Sequence, residues 1–182
     1  MSVARALRWR TLALLAALAA LALPPAPTQE RDERAVRVAY LFSLIKFVDW
    51  PTPRNDLLIG YVGSQATGET LLKSLDGRRA DARTLHVVLS PSDELLEKCE
   101  IIYFGDASPE DIRKTLAKVD GRPVLTLGET DSFPRRGGMI GLVKDEDHIQ
   151  IVVNLQSAQR SGVRISSRVL NLATIVSSGG EG

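Results

Sequence analysis

The chain has 182 residues, 23 Lys+Arg against 22 Asp+Glu, a formal charge of +1, 44% hydrophobic residues and one Cys. That balance gives no long-range field to gather nucleic acid, and the hydrophobic share excludes low-complexity disorder. A lone Cys forms neither an internal disulfide nor a zinc cluster, so a single globular domain of ordinary size remains.

Residues 1–26 read as a cleavable export signal. Arg5, Arg8 and Arg10 precede the apolar run Leu12 to Leu23, and Pro24, Pro25 and Pro27 close it. The run has 12 residues, short of the roughly 20 that a membrane-spanning helix needs. Without those three arginines the count is 20 basic against 22 acidic residues, so the working domain is mildly acidic. Its expected span is 30–176, followed by a disordered tail over 177–182, and its expected compartment is the periplasm.

From Arg34 to Val48 the segment is free of Gly and Pro, and its polar residues do not gather on one face, which predicts a buried helix stopped by Trp50-Pro51 and Pro53. Strands are predicted over Leu57 to Val62, Thr84 to Leu89, Ile101 to Phe104 and Val124 to Leu127. Between them fall helices around Glu69 to Leu75, after Pro91-Ser92 through Leu96, and over Pro109 to Val119, where the proline suits a first helical turn. This alternation predicts an α/β domain with a mixed, mostly parallel sheet flanked by helices on both faces. After Gly137-Gly138, Met139 to Val143 and Ile149 to Val153 flank a polar turn and predict a C-terminal β-hairpin. Two helices are expected to follow. Asn154 caps the first, with Gly162 as its left-handed stop; Ser166 caps the second, where Val169, Leu172, Ala173 and Val176 recur at helical spacing.

No catalytic motif survives inspection. Gly63-Ser-Gln-Ala-Thr-Gly68-Glu69-Thr70 imitates a phosphate loop, but Glu69 puts a negative charge where lysine must meet phosphate. Ser43 and Lys46 have the S-x-x-K spacing of penicillin-recognising enzymes without their companion motifs. His86 and His148 have no triad around them. The turn Asp145-Glu146-Asp147-His148 lacks the order of a calcium loop and reads as a solvated hairpin tip. Cys99 reads as a small hydrophobe, and Arg160, Arg164 and Arg168 as a basic edge, with an anionic ligand or acidic partner as the alternative. No enzyme activity, metal or cofactor is expected, and a binding or regulatory module is favoured.

The stretches AYLFSLIKFVDWP (39–51), LLIGYVG (57–63), CEIIYFG (99–105), VLTLGE (124–129), GGMIGLV (137–143) and IQIVVNLQSAQRSGVRISSRVLNLATIV (149–176) together resemble the YfiR family of exported bacterial regulators. The resemblance implies a periplasmic α/β protein that binds and represses a neighbouring inner-membrane diguanylate cyclase, lowering cyclic di-GMP and biofilm formation. It also implies that an outer-membrane lipoprotein can sequester the repressor, and it leaves a homodimer open. Family members sit beside different receptors, so a small-ligand sensor working with a histidine kinase or an outer-membrane receptor is the alternative. Two departures stand out: Cys99 lacks the second cysteine often found in the family, and Ile151 stands where a Phe is common. Candidate contact residues are Tyr40, Phe47 and Trp50 in the aromatic helix, and Asn154, Arg164, Ser166 and Arg168 in the last block.

Overall fold

The computed structural model describes residues 27–49, 55–146 and 148–179. The expected signal segment and Trp50 lie outside these residues. In chain order the first elements are α1 (Pro27–Ile45), β1 (Val48–Asp49), β2 (Asp56–Gly63), α2 (Gln65–Leu75), β3 (Arg79–Ala80) and β4 (Arg83–Leu89). Next come α3 (Asp93–Leu96), β5 (Ile101–Gly105), α4 (Pro109–Val119), β6 (Leu125–Gly128) and α5 (Ser132–Arg135). The chain continues through β7 (Ile140–Asp145), β8 (His148–Asn154), α6 (Leu155–Arg160), β9 (Arg164–Ile165), α7 (Ser167–Leu170) and β10 (Ala173–Val176).

Eight strands form one sheet in the order β10-β8-β7-β6-β5-β2-β4-β3. All its pairings are parallel except the β7–β8 hairpin and the β3–β4 edge. From β2 the chain winds to β4 on one side and then returns to β5 on the other, so the β2–β5 seam is where the winding reverses. A separate antiparallel ladder joins β1 to β9.

Side-chain alternation divides the apolar residues between the two faces. Leu57, Ile59 and Tyr61 of β2 and Ile101 and Tyr103 of β5 point into a core with Val38, Leu41, Leu44 and Ile45 of α1 and Leu71 and Leu75 of α2. Ile102 and Phe104 point the other way, into a smaller core with Leu96, Val119 and Phe133. A strand buried on both faces needs apolar residues without alternation, and β5 is buried at every position. Leu41 is 0% exposed, so Leu41→Ala would cost roughly 2–5 kcal/mol.

The structure bears out the α/β class, the mostly parallel sheet and helices on both faces. Helix α4 has the expected bounds, with Ser108 Oγ accepting from Asp111 N–H at its start. The expected last helix is corrected. It stops at Leu170 after one turn, and Ala173–Val176 becomes a strand that pairs parallel with β8. The helical spacing there is not a buried stripe, because Leu172 is 78% exposed. What decides the conformation is the open edge of β8, which a run of β-branched residues satisfies. The first residues of the expected disordered tail are also tied down: Ser178 Oγ accepts from Asn154 Nδ2 at 2.7 Å and Gly179 N–H donates to Arg135 O at 3.2 Å.

Candidate functional site

At the β2–β5 seam both strands end in glycine. Gly63 has φ +150, and a Cβ there would lie 1.5 Å from Gly105 O. The two backbones therefore meet more closely than any side chain allows. Ser64 N–H donates to Gly105 O at 2.9 Å, and the buried Tyr61 hydroxyl donates to the same oxygen at 2.7 Å. Burial, above all, holds the Tyr61 phenol above its ordinary value. Gly68 is likewise explained by packing, since a Cβ would press on the Tyr61 ring at 2.9 Å. The glycines of the phosphate-loop imitation thus serve strand and helix contact.

A crevice of about 590 Å³ opens above this seam, between the starts of α2 and α4. Ser64, Ser90, Asp106, Ser108, Lys114 and Lys118 line it. Ser90 (φ 48) and Asp106 (φ 56) sit in left-handed backbone without being glycine. Asp106 Oδ2 accepts from Ser64 Oγ at 3.0 Å and Thr67 Oγ1 at 3.4 Å. Lys114 pairs with Glu110 at 2.7 Å and Lys118 with Asp93 at 2.5 Å. The polar groups of the crevice are largely engaged with one another.

Beside the crevice, on the larger core's face, Tyr103 OH donates to Glu129 Oε1 at 2.6 Å, and Arg37 Nη1 of α1 lies 3.9 Å from Oε2. Burial raises the Glu129 carboxyl above the ordinary range, against the opposing pull of the Tyr103 hydrogen bond and Arg37. Burial also pushes Tyr103 well above its usual value, with Glu129 adding to it. This Tyr–Glu–Arg group escaped the sequence reading, because its members lie in three separate elements and form no local motif.

Among the described residues nothing here pairs a nucleophile with a general base. His86 and His148 face Asp56 at 3.7 Å and Asp145 at 3.3 Å. Ser43 Oγ donates to Ala39 O, while Lys46 lies over the Phe42 ring at 4.9 Å, so the S-x-x-K pair supports its own helix. No three of His, Cys, Asp and Glu converge among the described residues. Cys99 is buried beside Gly60, its Sγ donating to Leu95 O at 3.2 Å, and burial followed by Glu100 pushes its thiol up to about 11. That thiol is protonated and inaccessible in the folded chain.

The β1–β9 ladder draws two of the anticipated contact segments together. Val48 faces Ile165, Asp49 faces Arg164, and Ser166 N–H donates to Phe47 O at 2.9 Å. Ser166 Oγ in turn accepts from Arg168 N–H at 3.2 Å. Arg164 and Arg168 are exposed; Tyr40 and Phe47 are partly buried against the larger core. Asn154 is the exception. It is 0% exposed, and its side chain accepts from Ser157 N–H and donates to Pro134 O and Ser178 Oγ. Its role is a buried clamp rather than a surface contact, a correction to the sequence expectation.

The fold is thus a doubly wound α/β domain with a crevice at the winding reversal, in which no catalytic group is assembled among the described residues. The chain belongs to the YfiR/HmsC-like family, whose profile matches residues 34–174. In fold it is similar to the ABC domain from Streptococcus pneumonia solved in complex with L-Trp, at TM-score 0.55 and 14% identity over 79% of this chain. It is also similar to a conserved domain protein from Vibrio cholerae, at TM-score 0.55 and 15% identity over 78% of this chain. This chain spans 60% and 59% of those two chains. No helix among the described residues is long and apolar enough to cross a membrane.

Proposed function

We propose that this protein is a periplasmic regulator, exported by residues 1–26, that binds a neighbouring inner-membrane signalling protein and holds it inactive. The partner is a diguanylate cyclase, so the bound state lowers cyclic di-GMP output and biofilm formation. Membership of the YfiR/HmsC-like family over residues 34–174 carries this reading. The contact surface proposed for this is the β1–β9 ladder, where Phe47, Arg164, Ser166 and Arg168 are neighbours, together with Tyr40 and Trp50 of the aromatic segment named from the sequence. Repression requires tighter binding to the inactive state of the partner than to its active state. The test is affinity for the periplasmic region of the adjacent membrane cyclase, with cellular cyclic di-GMP as second readout. Arg164→Glu with Arg168→Glu is expected to weaken binding at least about tenfold, through charge reversal at an interface, and to raise cyclic di-GMP. Unchanged affinity in the folded double variant would remove this surface from the interface.

A second reading is favoured by the crevice. A winding reversal is where doubly wound sheets hold small ligands, and the Streptococcus pneumonia neighbour was solved with L-Trp. On this reading the protein senses a metabolite for a histidine kinase or an outer-membrane receptor. Thermal stabilisation by L-Trp that is lost in Asp106→Ala would support it.

A further inference from the structure

We infer that a second recess, walled by the C-terminal ends of α4, α5 and α6, binds a small monocarboxylate with an apolar body. It lies apart from the crevice, is open to solvent on one side and has a volume of about 280 Å³. That lies near the lower end of the roughly 300–1,000 Å³ usual for small-molecule pockets. Val119, Val124 and Met139 contribute to its apolar wall, while Arg136 and Arg160 stand over it.

Some of the polar groups here are left over for a ligand after the protein's own hydrogen bonds are made. Ser161 is 8% exposed, lines the recess, and its hydroxyl has no hydrogen-bond partner among the described residues. Arg136 is exposed and forms no ion pair among the described residues. Arg160 is already oriented, since its Nη2 donates to Ser157 Oγ at 3.1 Å. Thr126 Oγ1, buried at the back, accepts from Met139 N–H at 3.1 Å and keeps its own proton to donate. Asp120 is the one carboxylate on the lining, and the two guanidiniums stand against both it and the partial negative charge of the helix C-termini.

Two guanidiniums and the Ser161 and Thr126 hydroxyls match a carboxylate, and the apolar wall matches a short hydrocarbon or aromatic body. A bare phosphate would leave that wall wet. The recess also has a route to the contact surface, because Gly162 and Val163 are all that separate Ser161 from Arg164 of β9. The ligand inference nonetheless stands without the cyclase reading, since it names no protein partner.

The experiment is a titration of the full chain with phenylacetate, and separately with inorganic phosphate, followed by backbone amide shifts at Gly137, Ser161 and Thr126. Saturable shifts at these amides with phenylacetate are expected, with phosphate weaker. Arg136→Gln should weaken phenylacetate about tenfold, the loss of one charge-assisted contact. Ser161→Ala should weaken it less, and Arg113→Gln, on the exposed side of α4, should change nothing. The inference fails if phenylacetate does not saturate these shifts, if Arg136→Gln binds as tightly as the parent, or if phosphate binds as well as phenylacetate. Partner affinity measured on Arg136→Gln separates this outcome from the cyclase reading, whose surface that variant leaves intact.

Discussion

The two recesses of this domain differ less in shape than in what their polar groups already do. In the crevice at the β2–β5 seam, Asp106 accepts from Ser64 and Thr67, and both lysines are paired with acids. In the recess beneath Arg136, the Ser161 hydroxyl and the Arg136 guanidinium have no partner among the described residues. The first is built by internal hydrogen bonds and a glycine contact that tolerates nothing larger. The second is built by side chains that leave donors over. A recess whose groups satisfy each other must give up some of those bonds to take a ligand, whereas one with spare donors takes it without that cost.

That contrast can be broken in three ways, the first by the largest effect. Gly63→Ala should cost about 4 kcal/mol, because its Cβ meets Gly105 O, while Gly137→Ala beside the Arg136 recess should cost about 1 kcal/mol from its positive φ alone. Urea unfolding checks both, and equal losses would mean that the seam is not the tighter of the two. Next, Asp106→Ala should lose about 2 kcal/mol by freeing two hydroxyls and keeping a left-handed backbone, whereas Ser161→Ala should stay within about 0.5 kcal/mol.

The smallest effect is pH-dependent and belongs to Glu129. Its folded pKa is raised, so between the unfolded and folded values the native state binds the extra proton. Its contribution to stability is therefore complete below the ordinary glutamate range and is lost as pH rises through the raised value. Glu129→Gln keeps an acceptor for Tyr103 and cannot ionise, so its stability relative to the parent should improve from about pH 4 to about pH 8. Parallel urea midpoints for the two proteins across that range would show the carboxyl to be unperturbed.

The legible parts of the fold were those decided by near neighbours. Pro109 at the head of α4 with Ser108 as its cap, and the hairpin around Lys144 to His148, declare themselves within a few residues. Strand β10 does not, because the residue that makes it a strand is the unpaired edge of β8 rather than anything between Val169 and Val176. The same holds for function. Phe47, Arg164 and Ser166 carry recognisable local texture, yet only the β1–β9 ladder shows that they are neighbours. Glu129 gave no local signal, since its burial depends on Tyr103 and Arg37 arriving from other elements. Ser161 and Arg136 were equally silent, because a missing partner is a property of the folded chain.

The β1–β9 ladder has a kinetic consequence. Val48 and Ile165 are 117 positions apart, and the clasp between them closes nearly the whole domain into one loop. Closing so long a loop is entropically slow, and its return comes only when the last segment is present. A chain released before residue 165 therefore has α1 without its final anchor, and maturation of this domain waits on its C-terminal end rather than proceeding from the N-terminus outward.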